Sequence, residues 1–521
     1  MKLPVNPAGR IFTQSARFPA PGSEAEKIIF RDLEKSFALQ YEKIFPDKLA
    51  PRTVVIIPSL SLDQEILSKI KGAVHYEERM LCLIMLLRMP LTRVIYVTSV
   101  PIADSIIDYY LHLLPGITGR HARRRLSMIS CYDSSVKSLT QKILDRPRIM
   151  EQIRQLIPDP GSAHLTCFNI TPLEKTLAVR LGIPLFGTDP DLSYEGTKSG
   201  GRKSFRESGV DFPDGFEDLT DREDIVNALA SLKRRHPLLR KAVVKINDGF
   251  SGDGNAIYTY PQVSIDDDLE KNISDSLSQQ IKMVAEGLSE QKFLEKLGEM
   301  GGIVEEFLEG KVKMSPSVQC VIGPDKKIDI VSTHDQILGG EDNQVYLGAV
   351  FPADTAYNLS LAEQGRKIAE VLAHKGAIGR FAIDFITVLQ EDGSWKHYAI
   401  EINLRKGGTT HPLLMLQFLT DGKYNAETGE YRTASGHRRY YFASDNVYNE
   451  KYKGLTPDDL IDISIYHDLM FDGATKEGIM FHLIGALSEF GKFGVICVGT
   501  SPEKAREYYH KIIRVLDLEC E

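Results

Sequence analysis

Cysteine is scarce and scattered. The six residues Cys82, Cys131, Cys167, Cys320, Cys497 and Cys520 include no Cys-x-x-Cys pair. That spacing argues against a zinc site or a disulfide framework and fits reduced thiols in the cytoplasm. Long apolar runs are missing too. The longest, residues 81–87, is far too short to span a bilayer. The opening Met1-Lys2-Leu3-Pro4-Val5-Asn6 lacks the apolar core of a signal peptide, so no membrane partner is expected. Positive charge is not in excess: 63 Lys and Arg face 71 Asp and Glu, for a net charge of −8. This argues against general nucleic-acid affinity. No G-x-G-x-x-G follows the first expected strand, which argues against a dinucleotide site there. Internal repeats and low-complexity segments are likewise absent.

What remains is an ordinary globular composition, 42% hydrophobic and 26% charged, over 521 residues, enough for several domains. After an expected helix at 25–44, strands at 53–58, 93–98, 126–131 and 164–170 alternate with helices at 77–88 and 101–114. Ser61-Leu62-Asp63-Gln64 reads as a capping box opening a further helix. Such alternation implies a parallel sheet covered by helices. The basic cluster at 120–125 fits either an anion site or, more simply, a solvated face with inter-domain salt bridges.

The character changes after residue 187. Lys198 precedes a short helix and Gly209-Val210-Asp211-Phe212-Pro213. Lys245 sits in the strand 242–246 among Val243, Val244 and Ile246. A buried ammonium is costly without an anion, so Lys245 is expected to face one. The strand runs into a loop containing Gly249, Ser251, Gly252 and Gly254, then a second strand at 256–260. Such a loop is either a plain mobile hairpin or a flap whose backbone N–H groups can approach phosphate. It is not a P-loop, because no Gly-Lys-Ser/Thr follows. Past a helix at 291–299, the stretch from 303 to 310 contains Glu305, Glu306, Phe307 and Leu308. It reads as an edge-like strand able to offer backbone groups to a flat heterocycle. Strands at 316–322 and 327–334 and a helix at 362–375 lead to the most informative stretch.

That stretch is a hairpin. Residues 379–387 and 398–403 flank Asp392-Gly393, a strong hairpin signal. With Asp392 and Gly393 as the central turn residues, Asp384 lies opposite Glu401 and Ala382 opposite Asn403. Phe381, Ile383 and Phe385 face Leu404, Ile402 and Ile400 on the core side. Like charges directly opposite one another repel. Two carboxylates and an amide are oxygen ligands suited to Mg²⁺, which completes its shell with substrate phosphates. The plainer alternative is a hairpin with one polar face in water. Thr409-Thr410-His411-Pro412 then opens a helix at 413–419, whose N-terminus would lie beside Asn403 and favour anions. A polar, tyrosine-rich stretch follows to about residue 454. The chain ends with an expected helix at 477–490, a strand at 494–499 and a last helix from Ser501-Pro502 to about 516.

Taken together, the lysine before Gly-Val-x-x-Pro, the strand lysine before a Gly-rich loop, Glu-Glu-Phe-Leu and the Asp…Glu-x-Asn hairpin resemble the ATP-grasp superfamily. Ser332-Thr333-His334-Asp335-Gln336 and the run from Glu401-Ile402-Asn403-Leu404-Arg405 to Thr409-Thr410-His411-Pro412 resemble the pheganomycin-type peptide ligases within it. The resemblance implies a multidomain α/β and α+β protein: an N-terminal Rossmann-like parallel α/β domain (1–186), two ATP-grasp subdomains enclosing the nucleotide (187–310 and 311–440) and a small C-terminal α/β unit (441–521). It implies Lys198 and Lys245 on the ATP phosphates, with the loop bearing Ser251, Gly252 and Gly254 closing over them. Glu305, Glu306, Phe307 and Leu308 would line the adenine. Asp384, Glu401 and Asn403 would hold Mg²⁺, and Arg405 would steady the γ-phosphate or acyl phosphate. His334, Gln336, Thr409 and Thr410 would contact substrate, though His334 fits a structural role equally well. The ribose contact stays open: Lys311-Val312-Lys313-Met314-Ser315-Pro316 holds no carboxylate, leaving Glu306 or Glu309. The implied activity is an ATP-dependent carboxylate–amine ligase acting through an acyl phosphate on amino acids or peptides, with a homodimer as the assembly. The alternatives are an inactive ATP-binding regulator and an ATP-grasp phosphotransferase.

Overall fold

A computed structural model describes residues 18–61, 72–248, 254–261, 268–285, 287–339 and 345–520. The helix expected after Ser61, the positions Ser251 and Gly252, and most of the loop at 339–343 lie outside the described residues.

Four strands, β1 (Arg52–Ile57), β2 (Thr92–Thr98), β3 (Leu126–Ser130) and β4 (Ala163–Cys167), form a parallel sheet in the order β3-β2-β1-β4. Val54, Val55, Ile56 and Ile57 are all buried, as expected of a sheet covered on both faces. One flank is covered by Glu24–Ile44, which starts on the Ser23 cap, and by Pro172–Leu181, which starts on a Thr171–Glu174 capping box. The other flank carries the helix expected at 77–88, which runs from Ala73 to Arg88 and winds as a 3-10 helix. In the basic cluster, Arg123 pairs with Asp104 and Arg125 donates to the Leu87, Met89 and Thr92 carbonyls, all contacts local to this unit and not between domains.

Next come β5 (Gly215–Leu219), β6 (Lys241–Ile246), β7 (Asn255–Thr259), β8 (Ile281–Met283) and β9 (Gly302–Glu306). They form an antiparallel sheet in the order β5-β9-β6-β7-β8. β9 is therefore an interior strand, not the edge expected from sequence: Glu305 pairs with Gly215 on one side and Val243 on the other. Helices Arg222–Arg235, Leu269–Gln280 and Glu290–Met300 supply its core through Leu229, Ile273 and Phe293.

The large sheet contains β10 (Lys313–Met314), β11 (Pro316–Ile322), β12 (Ile328–Gly339), β13 (Val345–Phe351), β14 (Gly379–Leu389) and β15 (Trp395–Asn403). A small hairpin of β16 (Lys423–Asn425) and β17 (Glu430–Arg432) stands apart. β18 (Tyr440–Tyr448), β19 (Gly478–His482) and β20 (Lys492–Gly499) then extend the large sheet, which runs β14-β11-β12-β13-β18-β20-β19 with β15 outside β14. The helix expected at 477–490 is a correction. Gly478–His482 is a fully buried strand paired with β20, and only Leu487–Phe490 is α-helical, closed by Gly491. A short, continuously apolar run fits a buried strand as well as a helix.

One hydrophobic core joins the two ends of the chain. Leu81, Ile84 and Met85 of the 3-10 helix pack in the same cluster as Tyr441, Phe481 and Ile496. The buried tyrosines Tyr431, Tyr441 and Tyr452 place the expected polar stretch partly in this core. Among the described residues, no helix is long and apolar enough to cross a membrane.

Candidate active site

Ala382 faces Asn403 and Asp384 faces Glu401 across β14 and β15, the pairing expected from sequence. The chain reaches it by a different route. Leu389 pairs with Trp395, Gln390 N–H donates to the Ser394 carbonyl, and Gly393 adopts φ +83. The loop is thus one residue longer than an Asp-Gly turn, and the register near it is shifted by one. A bulge between Asp384 and Phe385 undoes the shift. Phe385 consequently faces Ala399, not Ile400. Ala399 is buried in the core, while Ile400 is the extra, half-buried residue of the bulge.

The facing carboxylates are held from several sides. Asn403 Nδ2 donates to Asp384 Oδ2 at 3.0 Å, and Gln336 Nε2 donates to Asp384 Oδ1 at 2.8 Å. Lys198, the first residue of helix Lys198–Ser208, places its Nζ 3.4 Å from Glu401 Oε1. That helix is anchored by Ser199 N–H donating to Asn247 Oδ1 at 2.9 Å, just past β6. Burial, and then the neighbouring Glu401, push the Asp384 carboxyl up to about 7. Burial also pushes Glu401 upward, but Lys198, Lys245 and Arg405 outweigh it and hold Glu401 below its ordinary value. A pair in which only one carboxylate ionises readily needs positive charge between its members. That chemistry, with the Asn403 amide, fits a hard cation such as Mg²⁺. Among the described residues, no group of three or more His, Cys, Asp or Glu offers a competing metal cluster.

Lys245 has a partner within the protein: its ammonium contacts the Glu305 carboxylate, whose other oxygen lies 3.3 Å from Arg202 Nη1. The anion expected to be phosphate is therefore supplied in part by β9.

The carboxylates floor a cavity of about 340 Å³. Lys198, Gly254, Gln336, Asp384, Glu401, Asn403, Arg405 and Thr409 all line it. Gly407, Gly408 and Thr409 bring the start of helix Thr410–Thr420 to its wall. At Gly408 a Cβ would lie 2.7 Å from the Tyr346 ring, so a larger residue there would displace that ring.

The comparisons with known proteins fall on this region. Residues 192–283 and 261–427 match the family described as IQCH-like, ATP-grasp. Together the two matched stretches span residues 192–427, which include the hairpin and the cavity floor. Residues 467–512 match a second family, the PGM1 C-terminal domain. Over 467 residues the chain is 28% identical to the L-propargylglycine–L-glutamate ligase of Streptantibioticus cattleyicolor, covering 88% of this chain and 92% of that protein. It is 23% identical over 448 residues to IQ motif-containing protein H of Danio rerio, covering 77% of this chain but 42% of that protein. Among solved structures, the biotin carboxylase domain of Hydrogenobacter thermophilus 2-oxoglutarate carboxylase superposes with a TM-score of 0.53 at 13% identity, covering 89% of each chain. That structure is described as a dimer with MgADP, ADP and bicarbonate.

Within the matched region, several expected residues lie away from the cavity. Glu305 is buried under Lys245 and Arg202, and Glu306 accepts from Asp214 N–H at 3.0 Å. Phe307 N–H donates to the Lys241 carbonyl, and the Leu308 carbonyl accepts from Lys313. Glu309 pairs with Arg240. His334 is fully buried: its Nε2 meets the Tyr441 hydroxyl and its ring packs on Phe351. That position fits the structural reading of His334. Thr410 turns its hydroxyl to Gly407 N–H at 3.1 Å. Cavity residues that sequence reading missed are Tyr76, Arg79, Ser317, Tyr346, Asp445 and Lys492. They arrive from elements far apart in the chain, and none carries a local motif.

Proposed function

We propose that this chain is an ATP-dependent carboxylate–amine ligase that joins amino acids or short peptides through an acyl phosphate. The observation that carries the reading is the opposed Asp384–Glu401 pair, with Lys198 and Arg405 beside it, on the floor of a cavity in the matched region. The ligase relative supports it, because the match runs along 92% of that protein.

In this reading Asp384, Glu401 and Asn403 hold Mg²⁺, which when bound neutralises phosphate charge. Lys198 and Lys245 face the phosphates of ATP, and Arg405 faces the transferring group. A substrate carboxylate oxygen bonds to the γ-phosphorus while the bond to the ADP oxygen breaks. The amine of the second substrate then bonds to the acyl carbon. The acyl C–O bond breaks, phosphate leaves with the electron pair, and the amine proton passes to phosphate or water. The protein contributes position and charge, with no covalent nucleophile. We place the reaction in the cytoplasm, in keeping with six free cysteines.

The test is ADP release by the full chain with single amino acids and dipeptides as substrates, followed by mass spectrometry of the products. Substrate-dependent ADP release accompanied by a new amide supports the reading. ADP release without a new amide, or no release with any acid and amine, overturns it.

A further inference from the structure

The cavity has a second charged cluster besides the one around Asp384 and Glu401. Arg79 of the 3-10 helix Ala73–Arg88 and Asp445 near the end of β18 meet there, Nη2 to Oδ2 at 2.6 Å, with side chains 12% and 10% exposed. The guanidinium lies over the Tyr76 ring at 4.3 Å, and Lys492 Nζ donates to the Tyr76 hydroxyl at 2.9 Å. Tyr76, Asp445 and Lys492 line the same cavity as Asp384 and Glu401. Arg79 is not satisfied by these contacts, because its Nε is buried without a hydrogen-bond partner. A guanidinium with an unfilled donor, on the wall of a cavity that a second cation also lines, is suited to an anion.

Two cations and one carboxylate match the two ends of an amino acid. A carboxylate on Arg79 and Lys492 gains two charge-assisted contacts. Asp445, one of whose oxygens is committed to Arg79, keeps an oxygen to accept from the adjacent amine. The same cavity holds Asp384, Glu401 and Arg405, so an amine bound at this wall shares one chamber with the group read above as receiving the phosphate.

We propose that Arg79, Asp445 and Lys492 form the seat of the amine substrate, and that this substrate is a free α-amino acid held by its carboxylate and its nitrogen. The proposal rests on the ligase reading for the direction in which the amine points. The binding itself does not depend on turnover, and the test uses that difference.

The experiment measures the melting midpoint of the full chain with each common L-amino acid, and with the matching carboxamide, in the presence of Mg²⁺ and a non-hydrolysable ATP analogue. We expect at least one amino acid to raise the midpoint and its carboxamide to do so far less. Arg79→Gln should weaken that amino acid about a hundredfold, the size of one buried charge-assisted contact. Lys492→Met, whose lysine meets a hydroxyl, serves as the second variant should Arg79→Gln fold poorly, and it should also lose the preference for acid over amide. Fragmentation of the product should show the same amino acid with its carboxylate free. Equal shifts for acid and amide, no shift with any amino acid, a preference that survives both variants, or a product in which that carboxylate is consumed would each overturn the proposal. Hydroxylamine carries no carboxylate and bypasses the seat. ADP release driven by hydroxylamine in the wild type therefore reports on the ligase reading separately, whichever way the binding result falls.

Discussion

Replacing Lys245 by methionine removes a charge but keeps most of the stem. In the ligand-free chain this should destabilise the β6–β9 region. Lys245 and Glu305 are only 8% and 3% exposed, and they contact one another across adjacent strands. Taking one partner from a buried ion pair costs about 3–5 kcal/mol when the other charge is left alone. Glu305 is not left alone, because Arg202 stays at 3.3 Å and is itself fixed by the Pro213 carbonyl at 2.8 Å. We therefore expect about 2 kcal/mol, below the uncompensated range. For a cooperative unit of about 150–250 residues, that lowers the melting midpoint by roughly 4–8 °C. Adding Glu305→Gln should restore about half of the loss, since a carboxamide needs no counter-charge. The assay is four melting curves, wild type, both singles and the double, each with and without MgATP. The sequence alone suggests the opposite sign, with Lys245→Met at least as stable as wild type because a costly charge is gone. A ligand-free variant melting at or above wild type would refute the ion-pair account. An early-melting variant with an undiminished MgATP shift would confine Lys245 to a structural role.

Glu401→Gln should lower turnover by at least a thousandfold and lower the ligand-free melting midpoint modestly without unfolding the chain, because Lys198 loses its carboxylate while the repulsion on Asp384 is relieved; near-normal activity at saturating Mg²⁺ would remove Glu401 from the metal set. Chelation by EDTA should abolish ADP release but leave the ligand-free midpoint unchanged, and a chelator-induced drop in that midpoint would point to a structural metal instead. Burial holds His164 and His334 neutral, with each pKa pushed down to about 3. Between that value and about 6.5 the unfolded chain binds protons the folded chain does not, so stability is full above about pH 6.5 and falls as pH drops, by about 1.4 kcal/mol per unit for each histidine. Denaturation midpoints measured from about pH 7 to 4.5 should show a slope shallower by about one proton in His334→Gln; an unchanged slope would mean that the ring is not held neutral.

How much of this could be read in the sequence depended on how local the determining signal was. The parallel sheet was legible because β1, β2 and β4 are short runs rich in apolar and β-branched residues, separated by helical stretches. The need of Lys245 for an anion was legible from Val243, Val244 and Ile246, but the source of that anion was not, because Glu305 lies on a strand distant in sequence. The interior place of β9 escaped for a related reason: its partner β5 is Gly215-Phe216-Glu217-Asp218-Leu219, which carries no strand pattern. Gly478–His482 was misread because a five-residue apolar run has no period of its own, and β20 decides its state. Arg79, Asp445 and Lys492 could not be found from sequence at all. They converge only because Leu81, Ile84 and Met85 share a core with the C-terminal strands.

The hairpin shows why a cross-strand pairing can be read correctly from an incomplete account of its geometry. Counting from an assumed two-residue turn puts Asp384 opposite Glu401, yet the real loop is longer and displaces the register by one. With no bulge, the displacement would carry through to the site and set Asp384 opposite Ile400, an apolar residue. Glu401 would then oppose Ile383, whose side chain belongs to the core. A charged residue forced to that face is far costlier than one bulge. Ile383 and Ile402 on the core face therefore fix the register from the site end, whatever the loop does at the other end, and the mismatch collects at Ile400, where a half-buried side chain tolerates it. The bulge sits next to Glu401 as a consequence. Turn chemistry specified that a hairpin exists, while the burial pattern on either side of Asp384 and Glu401 specified which residues face each other. Only the second of these determines the chemistry of the cavity floor.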